Sequence, residues 1–243
     1  MADYNITLVI LSYIVAVIGS LMALVITRNA LLRPADDRKG LIILASLCLG
    51  GVGIWSMHFI GMLAFHIEAM PVNYNWWLTA LSLLVGMVVV YIGLALMSTG
   101  EFRYFKLVLA GIVVGLGVAA MHYTGMLAMR VQADVEWNWA IIALSIGIAV
   151  AASIVALWLA THVKLMWQIT ASALVMGVAV CGMHYTGMTA VSFVHNADLP
   201  QISTMIVSTS IFSLIITAFD SMIVVLAMMV AMIEANRSKF ITV

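Results

Sequence analysis

Three histidines in this chain keep the same company. His58, His122 and His184 are each preceded by methionine (Met57, Met121, Met183) and followed four residues later by another (Met62, Met126, Met188). Residues four apart on a helix share a face, so each motif presents an imidazole beside a thioether. Imidazole nitrogen with thioether sulfur is a donor set suited to copper, Cu(I) above all, and poorly suited to magnesium or calcium. Haem is the rival cofactor, because its iron also takes histidine and methionine as axial ligands. Zinc fits less well, since thioether is a poor ligand for it. The plainer reading is packing, with each imidazole bonded to a carbonyl or a tyrosine and each methionine filling space. Three copies of the motif, in segments that differ elsewhere, weigh towards a metal.

The motifs need elements to hold them, and the chain supplies these by repetition. Gly51 to Ala64, Gly115 to Ala128 and Gly177 to Ala190 align without gaps, at a spacing close to that of a helical hairpin. Leu11-Ser12, Leu81-Ser82 and Leu144-Ser145 form a weaker repeat in the segments between. Gly51, Gly115 and Gly177 lie seven residues before each His, and Gly61, Gly125 and Gly187 lie three after it. Small residues let membrane helices approach closely, so the histidine face is expected to point at other helices rather than at lipid.

That these helices lie in a membrane follows from composition. Of the 243 residues, 65% are hydrophobic and 8% charged, against roughly a quarter charged in soluble domains. Apolar runs of membrane-crossing length lie near Ile6 to Ile26, Leu41 to Phe65, Leu78 to Met97, Leu107 to Met129, Trp139 to Ala160, Ile169 to Val194 and Met205 to Ile233. They are too long and too evenly apolar for β-barrel strands. The expected fold is an all-α membrane protein of seven transmembrane helices, three repeated hairpins (about 6–66, 78–130 and 139–194) plus a seventh helix (205–233), forming one domain over 1–243. The first span lacks a basic n-region and a cleavage site, so it is read as a retained helix. Cys48 and Cys181 fall inside spans, which argues against a disulfide framework.

Charge sets the expected orientation. Arg28, Arg33, Arg38, Lys39, Arg103, Lys106, Lys164, Arg237 and Lys239 fall on one side of the spans, and only Arg130 on the other. The positive-inside rule then puts the N-terminus outside and the C-terminus in the cytoplasm, with the motifs one to two turns below the outer surface. Trp76, Trp77, Trp137 and Trp139 begin the third and fifth spans where an aromatic belt belongs. With zero formal net charge and no long basic run, nothing points to nucleic acid.

Met121 to Met126 and Met183 to Met188, both reading Met-His-Tyr-Thr-Gly-Met, resemble the signature of the MHYT domain, a bacterial seven-helix inner-membrane sensor named for that tetrapeptide. The resemblance covers essentially the whole chain. The first copy departs from it, with Phe59 for Tyr and Ile60 for Thr. Tyr123 and Tyr185 are candidates to orient a histidine by a hydrogen bond, a device the first copy lacks. The resemblance implies copper-dependent sensing of a diatomic gas (oxygen, carbon monoxide or nitric oxide) or of redox state. It also implies a cytoplasmic output, since family members often continue into a cyclic-di-GMP synthase or phosphodiesterase. The chain stops at Val243 and holds no GGDEF, EAL or kinase motif, so it is expected to be the sensor portion of a longer protein or to act on a partner protein, with no enzymatic activity of its own.

Other residues carry weaker claims. Met57, Met121, Met183 and Cys181 are possible additional ligands. Asp220, near the middle of the seventh span, is a candidate relay and is expected about 10 Å deeper than the histidines by helical rise. His66 and His195 are either interfacial side chains or a metal entry point. Beside the sensor reading stand two others: a copper or proton transporter with Asp220 as a midplane station, and a haem-bearing electron carrier. A transporter needs ligands at successive depths, whereas these cluster in one layer.

Overall fold

The computed structural model describes residues 2–67, 72–196 and 206–241. Among these residues, seven helices are long and apolar enough to cross a membrane. They are α1 (Ile6–Leu31), α2 (Lys39–Ala64), α3 (Trp76–Ser98), α4 (Tyr104–Ala128), α5 (Trp139–His162), α6 (Met166–Met188) and α7 (Thr209–Ile241). The chain is a multi-pass membrane protein.

The first, third and fifth helices begin the same way. Asn5, Asn75 and Asn138 sit in extended conformation at the N-cap, and each side chain accepts hydrogen bonds from backbone N–H groups of the first turn. This satisfies donors that lipid cannot. Ser12, Ser82 and Ser145 follow seven residues after each cap, and all three are fully buried.

Short antiparallel ladders zip each hairpin at the end where these caps lie. β1 (Ala2–Tyr4) pairs with β2 (Phe65–Ile67), β3 (Asn73–Asn75) with β4 (Met129–Arg130), and β5 (Ala133–Trp137) with β6 (Val191–His195). The register is equivalent in all three, with Tyr4 opposite Phe65, Tyr74 opposite Met129 and Trp137 opposite Val191. β7 (Ile206–Ser208) adds to the other edge of β3 and leads into α7. The opposite end of the bundle carries Arg33, Arg38, Lys39, Arg103, Lys106 and Lys164.

Helices α1 to α6 close a ring in which each packs on the next and α6 returns to α1. α7 lies outside this ring, across α1 and α2. That cover explains why the most hydrophobic window of α2 is 83% buried while that of α7 is 17% buried. Arg33, in the turn after α1, forms an ion pair with Glu234 near the end of α7. Between the six ring helices lies an apolar cavity of about 50 Å³, lined among others by Leu24, Leu49, Val118, Ala152 and Met183.

Three sequence expectations change. The sixth span stops at Met188, and Val191–His195 is a strand, because its alternating apolar residues pair with β5 rather than extend the helix. The seventh span begins as a helix at Thr209, and Met205 lies outside the described residues. The second span is not a uniform α-helix: Leu47–Ser56 is a π-helix, whose i→i+5 bonds add residues per turn. Gly115 packs on the backbone of Ala149 and Val150 in α5, and Gly177 packs on Val17 of α1. In α2 the corresponding close approach, to Gly86 and Met87 of α3, is made by Gly50, while Gly51 meets Phe219 of α7. The gapless alignment is therefore one residue out of phase at that glycine.

Candidate metal centre

The π segment of α2 ends at Ser56, and α-geometry resumes with Met57-His58. His58, His122 and His184, one from each even-numbered ring helix, converge where these helices meet and are 1%, 0% and 0% exposed. Their Nδ1 atoms form a triangle with sides of 3.0 Å (His58 to His184), 3.0 Å (His122 to His58) and 3.4 Å (His184 to His122). The rings meet edge to face at 73°, 87° and 85°, like the blades of a propeller.

The outer nitrogens repeat the threefold order. A Cβ added at Gly125 would overlap Nε2 of His58, one at Gly187 would overlap Nε2 of His122, and one at Gly61 would overlap Nε2 of His184. The glycine three residues after each histidine thus makes room for the imidazole of another motif. All three Nε2 atoms are buried without a hydrogen-bond partner among the described residues.

This triangle cannot be satisfied by neutral imidazoles alone. Each Nδ1 either carries a proton or presents a lone pair. A hydrogen bond needs one of each, and three mutual neighbours cannot be divided so that every pair is complementary. At least one side must place lone pair against lone pair or N–H against N–H. A cation accepting all three lone pairs removes the conflict. Three nitrogens at the ~2.0–2.1 Å of a metal–imidazole bond stand roughly 3.3–3.6 Å apart, so the triangle needs to open by only a few tenths of an ångström. Among the described residues, these three are the group of His, Cys, Asp and Glu side chains placed to hold a metal ion.

The other candidates occupy the surroundings. The six motif methionines, Met57, Met62, Met121, Met126, Met183 and Met188, are all buried. Met121 packs towards Gly86 of α3, Met183 borders the apolar cavity, and Met126 lines a pocket at the strand-capped end. Cys181 is half-buried beside Ser12 and Tyr185, outside the histidine group. Asp220 also lies outside it and accepts a 2.6 Å hydrogen bond from Ser56 Oγ. Ser56 precedes His58 by two residues, so the carboxylate sits nearer the histidine layer than helical rise predicts. Side chains lean towards the N-terminus of their own helix, and α2 and α7 run in opposite directions, so these two lean together. His66 is exposed on β2, and the His195 side chain lies outside the described residues.

The tyrosines make a contact other than the one expected. The Tyr123 hydroxyl pairs with Ser145 Oγ at 2.5 Å and that of Tyr185 with Ser12 Oγ at 2.9 Å, while each ring packs edge-on against its adjacent histidine. Phe59 takes the ring position in the first copy, at 4.7 Å from His58, and Ser82 is reached instead by Trp55 Nε1 at 3.0 Å. Three serines therefore brace the three motif helices, with tryptophan replacing the missing hydroxyl. The repeated Asn-x6-Ser spacing was the sequence signal for this. Phe59 and Trp55 also join Tyr74 and Phe212 in an aromatic cluster facing α7. Tyr4 packs edge-on against Tyr185 of the third motif, and burial pushes the Tyr4 hydroxyl up to about 12.

Comparison with known proteins places this architecture. Residues 51–110 and 115–173 match the family described as MHYT, bacterial signalling protein N-terminal repeat. The chain belongs to the MHYT family. Each matched MHYT repeat runs from a motif helix into the following helix, the pair linked here by Trp55 to Ser82 and by Tyr123 to Ser145. Curated relatives include the bifunctional diguanylate cyclase/cyclic di-GMP phosphodiesterase MucR of Pseudomonas aeruginosa, 39% identical over 79% of this chain and 28% of its own length. The signalling protein YkoW of Bacillus subtilis is 34% identical over 88% of this chain and 27% of its own. The cyclic di-GMP phosphodiesterase NbdA of Pseudomonas aeruginosa is 34% identical over 77% and 24%. The chain thus spans about a quarter of the length of these relatives, and corresponds to their MHYT sensor region rather than to an enzyme domain. No solved structure matches it. It is a membrane-embedded signalling sensor.

Proposed function

We propose that the sensor's input is a copper ion held by His58, His122 and His184, with buried motif methionines as its soft surroundings, and that it reports a diatomic gas or redox state. The observation that carries this is the triangle of Nδ1 atoms, whose hydrogen-bonding conflict a cation relieves. Copper would supply a redox-active centre able to exchange a small ligand. The protein's part is to aim three imidazoles at one point, to lock their rings between glycines and aromatic side chains, and to exclude water. With the basic end of the bundle in the cytoplasm, the centre lies nearer the outer face.

Two contacts offer a route to the seventh helix. Ser56, next to the motif, holds Asp220 of α7, and Phe59 and Trp55 pack on Phe212, with Trp55 also touching Phe219. A shift of His58 on ligand binding would move both contacts and so bias α7, the helix that leads towards a cytoplasmic output. Because MucR and NbdA carry cyclic di-GMP turnover in their names, that output is proposed to be cyclic-di-GMP signalling, in the same polypeptide or in a partner.

Two rival readings fit less well. Apart from Met176, Met183, Thr27 and Ser153, the cavity on the basic side of the triad is lined by aliphatic residues, which gives a translocated ion few ligands at successive depths. Nδ1 atoms about 3 Å apart also leave no room for a haem between two axial imidazoles. The test is elemental analysis with a visible spectrum of detergent-purified protein from copper-supplemented cells, beside the His58→Ala/His122→Ala/His184→Ala variant. Copper in the native protein and none in an inserted triple variant is expected; full metal in the variant, or a Soret band in the native protein, would overturn the reading.

A further inference from the structure

At the strand-capped end, away from the histidines, a pocket of about 340 Å³ opens between the end of α4 and the β5–β6 ladder. Its walls are apolar, with Met126, Leu127, Val135, Trp137 and Phe193 among them, and one cation, Arg130, lines it. The Arg130 guanidinium has neither hydrogen bond nor ion pair among the described residues, and its Nε is buried without a partner. Arg130 is also the only Lys or Arg of the sequence on this side of the spans. Taking a guanidinium partly out of water without an anion costs free energy, and the described residues supply no counter-charge for it.

Strand β5 accentuates this polarity. Successive side chains point to opposite faces, so Ala133, Val135 and Trp137 line the pocket while Asp134 and Glu136 face away. Asp134 is engaged there by Asn196, whose Nδ2 donates to it at 2.8 Å. No carboxylate turns towards Arg130 from this strand. At the mouth, Leu127 is 55% and Val135 41% exposed, and Trp137 and Trp139 mark the depth at which aromatic rings meet lipid headgroups.

We infer that this pocket seats a membrane phospholipid, its phosphate on the Arg130 guanidinium and its glycerol and upper acyl carbons against Leu127, Val135, Trp137 and Phe193. The planar guanidinium fork matches a phosphodiester, and the apolar walls match what hangs from it. An anionic lipid without a headgroup amine, such as phosphatidylglycerol, fits best, since the pocket's lining among the described residues holds no acid to receive an amine.

Native mass spectrometry of the delipidated full chain, titrated with phosphatidylglycerol, tests this. One tightly retained lipid is expected, with apparent affinity reduced about tenfold in Arg130→Gln and restored in part in Arg130→Lys. Leu127→Glu, at the exposed mouth, should weaken retention by repulsion while leaving the guanidinium in place. Lys164→Gln, at the other end of the bundle, should leave it unchanged. Equal retention by Arg130→Gln and native protein, or equal losses in Arg130→Gln and Lys164→Gln, would overturn the site. Competition by inorganic phosphate or dodecanoate as effective as that by the lipid would overturn the lipid as its occupant.

Discussion

At the scale of residues, the histidines depend on what is missing beside them. Gly61, Gly125 and Gly187 each leave the space that another motif's imidazole fills, so a methyl group there should act on the centre without altering a ligand. Gly125→Ala is expected to displace His58 and cost about 1–3 kcal/mol through overpacking. Bound copper per chain should fall in that variant, whereas Gly147→Ala and Gly182→Ala, where nothing lies within 4 Å, should keep full metal content. Elemental analysis of the three proteins distinguishes these outcomes. The histidines and their glycines were legible as spacing in the sequence. That each glycine serves a different motif's histidine was not, because spacing along one helix carries no information about which neighbour fills the gap.

At the scale of elements, the even-numbered helices are held by polar braces that lipid cannot replace. Serines seven residues after each asparagine cap receive Tyr185, Trp55 and Tyr123. The Ser56 to Asp220 bond does the same between α2 and α7. Interhelical hydrogen bonds in membranes are worth about 0.6–1.7 kcal/mol. Ser56→Ala and Asp220→Ala should therefore be non-additive by about that amount in a double-mutant cycle of unfolding in mild detergent. Additive losses would mean that the two side chains do not act on each other. The spans themselves were readable from apolar length. The strands were not, since Val191–His195 is as apolar as the helix before it and becomes a strand only because β5 offers its edge. The π-helix was hidden for a related reason: a wider turn leaves composition untouched and shifts only which glycine faces α3.

At the scale of the whole molecule, six helices form a closed ring and the seventh rides outside it, tied at one end by β7 on β3 and near the other by Arg33 with Glu234. This pair is largely shielded, at 25% and 12% side-chain exposure, and its loss is expected to cost about 1 kcal/mol. Amide exchange in the last turns of α7 should then quicken several-fold in Glu234→Gln while α2 and α4 stay protected. Equal exchange in variant and native protein would show that apolar packing alone holds that end. The membrane class, the seven spans and the threefold motif were all present in the residues read alone, because these rest on local hydropathy and repetition. The meeting of the three Nδ1 atoms at one point, the reach of Asp220 to Ser56 and the lack of a partner for Arg130 among the described residues came from the packed helices. Each of those facts depends on distances between helices far apart in the chain, and such distances are set by packing.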